Sequence, residues 1–548
     1  MKSIKSCILK LTALFLTLLL CACSRQEEPE APISPPGDAG VTQTQPQEAL
    51  PGGTLRIPMT RSPATMHPLY LKEAQMRNVY SMIFEPLIEF DDAMEPAACL
   101  AQSWRYDEAQ NVWIFELRSN VHWHNDLGEV SGSDAAYTIN TALNDASSIY
   151  HATLSYYIER AEGYGTTLML YPKVKSYALL YALNIPIIPE AYYSGKPAST
   201  LELPCGSGCF YAQSLSLEGE TRMQLEAYSK WWKKTPVLES VTAVGYADTE
   251  SIINAFLAGE LDCVPTSLMT TDIYEIIDGV SALDYTSRNY VYLGTNFKNP
   301  FLANTAFRQA VAYAINRTDI INNIYLTKAT GTEQPLYNDS SLSNANVQRY
   351  DTNLTRAREL LAQLEYADTD GDGYLESDGK IIELTLAVIN VPENPVRREA
   401  ALSIQRNLKE IGIKVNVNAL AEAALKDVIQ KGSYDLILSG YYLSEAPNLK
   451  FALSQGEGNL SNYSSAEMDA ILTRIDNAGT LEELKAAANS LQLLFAQELP
   501  HIGLFFERNT FLYRSDLVPS GIKRDFDVYS KISTWYFLKP AEPTQETS

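Results

Sequence analysis

The spacing of apolar residues changes between two periods over residues 381–417. Residues 381–389 (IIELTLAVI) are apolar and β-branched, which predicts a buried strand. Residues 394–411 place apolar side chains at every third or fourth position, which predicts a helix with one buried face. Gly412 ends this helix, and residues 413–417 (IKVNV) alternate as a second strand.

The same alternation continues along the next stretch of the chain. Residues 419–431 predict a second helix, and residues 434–439 predict a third strand. This strand–helix–strand–helix–strand order predicts a parallel sheet and therefore an α/β fold. Because ligands bind beyond the carboxyl ends of parallel strands, we expect residues 390–391 and 440–442 to face a ligand site.

The first 23 residues have the order of elements that an export signal requires. Three lysines precede an apolar run over residues 11–20. This run is too short for a membrane-spanning helix, which needs about 20 residues. The run ends in LCAC, so residues 1–22 are predicted to be a signal peptide and Cys23 the lipidated first residue of the mature chain. The alternative is an ordinary signal peptide with two incidental cysteines.

Residues 23–50 are rich in Pro, Glu and Gln and poor in large apolar side chains. Such a segment buries too little surface to fold, so we expect a lipidated, disordered linker. The body that follows would lie outside the cytoplasm and be held at the membrane by its lipid alone.

The 548-residue chain has a formal net charge of −23, and loss of three lysines with the signal would make it −26. This balance argues against nucleic acid, whose phosphates need a positive protein face. It also argues against direct adhesion to an anionic lipid surface. The remaining body of about 500 residues is too long for one core and predicts several domains.

Few cysteines remain after the signal, so the chain is not a disulfide scaffold. Cys205 and Cys209 flank Gly-Ser-Gly, and the two glycines could let the chain turn back and bring both sulfurs within bridging distance. The sequence allows either a disulfide between these cysteines or two free thiols. No second pair or nearby histidine completes a zinc site.

Residues 368–376 (DTDGDGYLE) resemble the start of a calcium loop, with Asp368, Asp370 and Asp372 in the ligand positions. The twelfth position is Gly379 and not the bidentate glutamate of an EF-hand, so a hairpin turn rich in aspartate is favoured over structural calcium. No other cofactor or metal is expected. Known catalytic motifs are lacking as well, so we do not expect an enzyme.

Several segments resemble one family in the same order along the chain. They include GGTLRI, a Leu-Ala-x-Ser-Trp strand pair, and PCGSGCFY, where Cys209 replaces the usual proline. The family is the extracytoplasmic solute-binding proteins of the peptide/nickel class (family 5), which serve ABC importers. The similar segments are 52–57, 96–118, 121–143, 204–211, 224–236, 254–262, 293–317, 351–376 and 462–474.

The resemblance implies a three-lobed fold of the periplasmic-binding-protein type, with two main lobes around a ligand cleft. Lobe I would combine residues 51–87, 204–293 and 505–540. Lobe II would be residues 88–203 and lobe III residues 294–504. The crossovers near residues 293–297 and 500–505 would act as hinges, so that the lobes close over ligand.

The resemblance also implies which residues line the cleft. They are Met66 in the loop after the first strand, Asn296 at the first crossover, and Tyr441 and Tyr442 after a strand of lobe III. Peptide binders of the family use an aspartate before the next proline to bind the ligand's ammonium group, but this chain has Leu443 there. Glu445 would substitute if the loop is shifted by two residues.

By this resemblance the protein is the substrate-binding component of an ABC importer. Peptide is the expected ligand, while a nickel complex, a sugar or another small solute stays open. Its partners would be a membrane permease with its ATPase, and we expect the body to be a monomer in the periplasm or at the outer face of the cell membrane. A tethered peptide receptor in signalling is the alternative, and a secreted hydrolase a distant third.

Overall fold

Two long antiparallel strands, Val280–Thr295 and His501–Arg514, run through the middle of the fold. They belong to a computed structural model that describes residues 48–392 and 394–539. Side chains alternate across a strand, so Tyr290 lies in one hydrophobic core and its neighbour Val291 in another. The two cores are therefore joined through the same pair of strands.

These strands are central in a seven-stranded sheet. In spatial order its main path is Cys263–Thr266, His501–Arg514, Val280–Thr295, Leu436–Tyr442, Glu383–Ile389 and Lys414–Leu420, and the short strand Ala329–Gly331 also pairs with His501–Arg514.

The predicted parallel unit is confirmed. Glu383–Ile389 pairs in parallel with both Lys414–Leu420 and Leu436–Tyr442, and the helices Val396–Lys409 and Glu422–Lys431 make the connections. The last strand continues three residues beyond its predicted end at residue 439. Residues 441 and 442 therefore lie inside the strand, where they pair with Val280–Thr295, and not in the loop that follows it.

Two four-stranded sheets complete most of the β-structure. The first contains Thr54–Thr60, Ser240–Tyr246, Arg222–Ala227 and Phe210–Ser216, in that spatial order. The second is antiparallel and contains Ala101–Asp107, Val112–Leu117, Thr167–Pro172 and Ile158–Tyr164. Smaller pairings join Ala49–Leu50, Tyr536–Leu538 and Leu517–Val518, then Ile88–Phe90 with Pro96–Ala98, and Glu376–Ser377 with Lys380–Ile381.

Helices cover these sheets, and with the parallel unit they confirm the α/β class. The α-helices are Ala74–Tyr80, Gly132–Asn144, His151–Tyr157, Glu190–Tyr193, Thr249–Leu257, Asp272–Glu275, Pro300–Ala303, Thr305–Ala314, Arg317–Asp319, Leu354–Gln363, Val396–Lys409, Glu422–Lys431, Lys450–Leu453, Ala466–Asn477 and Leu481–Glu498. Among the described residues, no helix combines the length and apolar character needed to cross a bilayer. The predicted signal peptide and Cys23 lie outside the described residues, as does nearly all of the linker.

The loop 205–209 holds both cysteines of the possible disulfide. Cys205 and Cys209 are both buried free thiols, so the bridge that the sequence left open is not formed. The two sulfurs point to different carbonyl groups, those of His124 and Met82. Neither thiol is therefore directed at the other.

The glycines of this loop serve close backbone packing. A Cβ at Gly206 would lie 2.1 Å from the carbonyl oxygen of Ile83, and one at Gly208 would lie 2.3 Å from that of Met82. The Gly208 N–H donates to the Ile83 carbonyl oxygen at 2.8 Å. Only glycine allows the two backbone segments to approach this closely.

We predict that Gly206→Ala lowers the free energy of unfolding by about 1–3 kcal/mol, because the added methyl group overpacks a backbone contact. Urea unfolding followed by circular dichroism measures this change. Gly331→Ala is the control, since its Cβ would meet its nearest neighbour at an ordinary 3.5 Å. Equal stability of the two variants would contradict the packing explanation.

Candidate functional site

Residues from all three predicted lobes line one cavity of about 670 Å³. It lies beside the central strand pair, which contributes Arg288 to its wall. The other lining residues come from the stretches 68–99, 149–153, 184–186, 208–209, 231–233, 442–445 and 524–534. A cavity built from several segments at a junction between lobes is a typical site for a small ligand.

The charges around this cavity are balanced, unlike those of the whole chain with its net charge of −23. Five cationic and five acidic side chains line it: Arg77, Lys233, Arg288, Arg524 and Lys531, with Glu85, Glu89, Glu445, Asp525 and Asp527. Aromatic side chains fill much of the remaining wall: Tyr80, Phe84, Phe90, Tyr150, Trp231, Tyr442, Phe526 and Tyr529.

Glu85 is fixed at one side of the cavity by three donors. Its Oε1 accepts from the indole N–H groups of Trp231 at 3.0 Å and Trp232 at 2.8 Å, and its Oε2 accepts from the Ser207 hydroxyl at 3.0 Å. Burial raises the pKa of the Glu85 carboxyl, while Lys233 and these hydrogen bonds oppose the shift. The carboxyl is thus held in a rigid frame.

Arg288 occupies another side of the cavity. The central carbon of its guanidinium lies 4.7 Å from the ring centroid of Tyr442 and 4.7 Å from that of Phe526. Its Nη2 donates to the Tyr442 hydroxyl at 2.9 Å, and its backbone N–H donates to Asp525 at 2.9 Å. Its Nη1 lies 2.5 Å from Oε1 of Glu445 in an ion pair.

Two of the five residues predicted for the cleft line this cavity. Tyr442 is 52% exposed and Glu445 is partly exposed, and each contacts Arg288. Met66 is fully buried behind Tyr80, whose hydroxyl donates to the Met66 carbonyl oxygen at 2.8 Å. Met66 is thus one side chain removed from the cavity wall.

Asn296 braces the first crossover. Its Nδ2 donates to the Tyr434 carbonyl oxygen at 2.8 Å, and its Oδ1 accepts from the Asn462 side chain at 3.0 Å and from the Lys298 backbone at 3.1 Å. Both ends of the amide are therefore engaged within the protein, and Asn296 does not line the cavity.

Tyr441 packs into an aromatic cluster at the second crossover. Its ring centroid lies 5.3 Å from that of Tyr290, 5.2 Å from that of Tyr292 and 6.3 Å from that of His501. Since adjacent strand residues face opposite sides, Tyr442 points to the cavity while Tyr441 points to the cluster. The cluster thus packs directly on the backbone that carries Tyr442.

Several cavity residues were not identified from the sequence. Arg288 precedes the first crossover by a few residues, and no local motif distinguishes it from other arginines of a strand. The segment 523–527 (KRDFD) places one aromatic side chain among four charged ones of both signs. This composition is the sequence feature that could have identified this part of the cavity wall.

The aspartate-rich loop lies apart from the cavity lining and forms turns of its own. Asp368 accepts from the backbone N–H groups of Gly371 at 2.7 Å and Gly373 at 3.0 Å, as the turn interpretation expects. Oxygens of Asp368, Asp370, Asp372 and Glu376 lie within 4.8 Å of one another. Oxygen ligands of this kind suit calcium, which stays the less favoured alternative to the predicted turn.

An α/β fold with a balanced, aromatic-walled cavity beside two shared strands defines a solute-binding protein. The sequence profile of the bacterial extracellular solute-binding proteins of family 5 (middle region) matches residues 95–459. The chain belongs to this family, whose members are extracytoplasmic receptors of ABC importers and not enzymes.

The chain is similar to known proteins over nearly its whole length. It is 24% identical to the oligopeptide-binding protein AppA of Bacillus subtilis, covering 98% of this chain and 100% of AppA. It is 22% identical to heme-binding protein A of Haemophilus influenzae, covering 90% and 92% of the two chains. The solved structure of HbpA2 from Haemophilus parasuis has a TM-score of 0.76 at 20% identity, covering 88% of this chain and all of HbpA2.

We predict that His501→Phe makes the protein less sensitive to acid. Burial lowers the pKa of His501 from 6.5 to about 3, so below pH 6.5 the unfolded chain binds a proton that the folded protein does not. Wild-type stability should therefore fall as the pH decreases from 6.5 towards 3. The substitution should reduce this slope by up to about 1.4 kcal/mol per pH unit.

Urea unfolding at pH 6.5, 5.5 and 4.5 measures the slope. His67 and His124, whose pKa values burial lowers to about 4, act in the same direction but are present in both proteins. Asp527, with a pKa raised to about 6, acts in the opposite direction in both. His122→Phe, at a partly exposed position, is the control. An unchanged slope in His501→Phe would contradict the prediction.

Proposed function

We propose that this protein is the membrane-anchored peptide-binding component of an ABC importer. The balanced cavity carries this proposal. A peptide in water has an ammonium group at one end, a carboxylate at the other and side chains of mixed character between them. A buried charge needs a partner of opposite sign, and the cavity wall offers both signs.

The aromatic wall suits a ligand whose side chains vary. Aromatic rings provide large contact areas without requiring a single ligand shape, and they also stack on cationic groups. The names of AppA and of the heme-binding relative show that members of this fold accept different solutes. The charged lining of this cavity favours a zwitterionic peptide among these solutes.

Capture would occur by closure of the predicted lobes, with residues 293–297 and 500–505 as hinges. Because the cavity is lined from all three predicted lobes, a bound ligand would contact each of them and favour the closed arrangement. The permease would then recognise the closed monomer. The lipid on Cys23 would hold the body near the permease throughout.

We predict that the mature protein is stabilised by peptides of two to five residues. Ligand at one hundred times its Kd should add about 2.7 kcal/mol to the free energy of unfolding, because only the folded protein binds it. Thermal unfolding with peptide mixtures, sugars and nickel–histidine complexes measures the effect. Stabilisation by one of the other classes, with none by peptides, would overturn the peptide proposal.

We predict that Cys23→Ser abolishes acylation of the full chain, because the sulfur atom of Cys23 accepts the lipid. Mass spectrometry of the N-terminal peptide, together with labelled palmitate, measures the acyl group. Cys21→Ser is the matched control, because it changes the other cysteine of the LCAC segment and should keep the lipid. Acylation of the Cys23→Ser protein would contradict the proposed lipid anchor at Cys23.

A further inference from the structure

The following inference rests on the proposed function and specifies how a ligand is recognised. We propose that Arg288 is the receptor for a ligand carboxylate and that Glu445 occupies this receptor while no ligand is bound. The carboxylate of the ligand would replace that of Glu445, so that Arg288 has an anionic partner in both states.

The surroundings of Arg288 restrict how a ligand can approach it. The side chain is only 9% exposed, and the rings of Tyr442 and Phe526 both pack against the guanidinium. A ligand can therefore reach only a small part of the group, where a cavity-facing edge carries N–H donors. Donors at an edge suit the planar geometry of a carboxylate.

Two of the guanidinium nitrogens have no aligned hydrogen-bond acceptor. Among the described residues, Nε and Nη1 of Arg288 are buried without a hydrogen bond, although Nη1 is close to Glu445. The Glu445 oxygen is thus near enough for charge pairing but is not aligned to accept from Nη1. Buried donors are rarely left unpaired, so unpaired donors at a cavity wall need an explanation, and an acceptor on the ligand supplies one.

Glu445 is positioned so that its side chain can separate from Arg288. It lies in the loop after the strand Leu436–Tyr442, and its side chain is 25% exposed at the cavity wall. The loop itself is fixed separately, since the Leu443 N–H donates to the Arg288 carbonyl oxygen at 2.9 Å. A side-chain rotation could therefore release the ion pair without moving the backbone.

This arrangement assigns Glu445 a role different from that of an ammonium receptor. Arg288 already compensates its charge, so an incoming ammonium group would have to displace a guanidinium that is only 9% exposed. An incoming carboxylate would instead displace Glu445, whose side chain is 25% exposed and can turn towards solvent. The geometry therefore favours ligands with a free carboxylate, such as the C-terminus of a peptide.

The test compares random tetrapeptide mixtures with a free C-terminus and with a C-terminal amide, using thermal unfolding and calorimetry. Wild-type protein should bind the free acids at least tenfold more tightly than the amides. Arg288→Gln should remove this preference by weakening the free acids alone. Glu445→Gln should tighten binding of the free acids about threefold or more, because the internal competitor is gone.

Arg397→Gln is the matched control. Arg397 is also 9% exposed, pairs with Glu507 at 3.0 Å and has an unpaired Nε, but it does not line the cavity. Its substitution should leave the acid-to-amide preference intact. If Arg288→Gln does not fold, the wild-type preference and the Glu445→Gln result still decide the question.

An N-acetylated tetrapeptide mixture tests the opposite assignment. If Glu445→Gln weakens peptides with a free amino group and leaves the acetylated mixture unaffected, Glu445 is an ammonium receptor and our inference is wrong. Equal wild-type affinity for acids and amides would also overturn it, while the peptide function would stand. No stabilisation by any mixture would overturn both.

Discussion

The structure depends on one constraint, which is that two hydrophobic cores share the strands Val280–Thr295 and His501–Arg514. Alternation along a strand makes this sharing possible, since neighbouring residues face opposite sides. Any rotation between the cores would therefore have to occur in these strands or at their ends. The Asn296 hydrogen bonds and the aromatic cluster at His501 lie at those ends, where they would limit such a motion.

The charges of the cavity fall into a fixed part and an exchangeable part. Glu85 accepts three hydrogen bonds from residues of its own wall, so its position does not require a ligand. Arg288 and Glu445 come from different segments, and their ion pair leaves donors without acceptors. Rigid groups can shape a site before the ligand arrives. In an incompletely hydrogen-bonded ion pair, by contrast, a charged group of the ligand can replace one partner.

The sequence allowed part of this to be predicted, for physical reasons. The parallel unit was recognisable because its strands and helices have different apolar periods and Gly412 separates two of them. The side that each residue faces was not recognisable, since that depends on pairing with strands distant in sequence. Tyr441 and Tyr442 look alike in the sequence, yet only Tyr442 lines the cavity. The sequence suggests a turn at Gly206 as one possibility, whereas the structure shows it in close contact with a distant backbone.

The neighbouring positions of Tyr441 and Tyr442 connect ligand contact with the hinge. Tyr442 packs against Arg288, and Tyr441 packs against the cluster of Tyr290, Tyr292 and His501. A shift of this strand towards a ligand would therefore also move a ring within the buried cluster. Because close-packed aromatic rings resist small displacements, the cluster should favour a few discrete arrangements over a continuous range. Under the proposed function, ligand binding and lobe position would thus be coupled through one pair of adjacent residues.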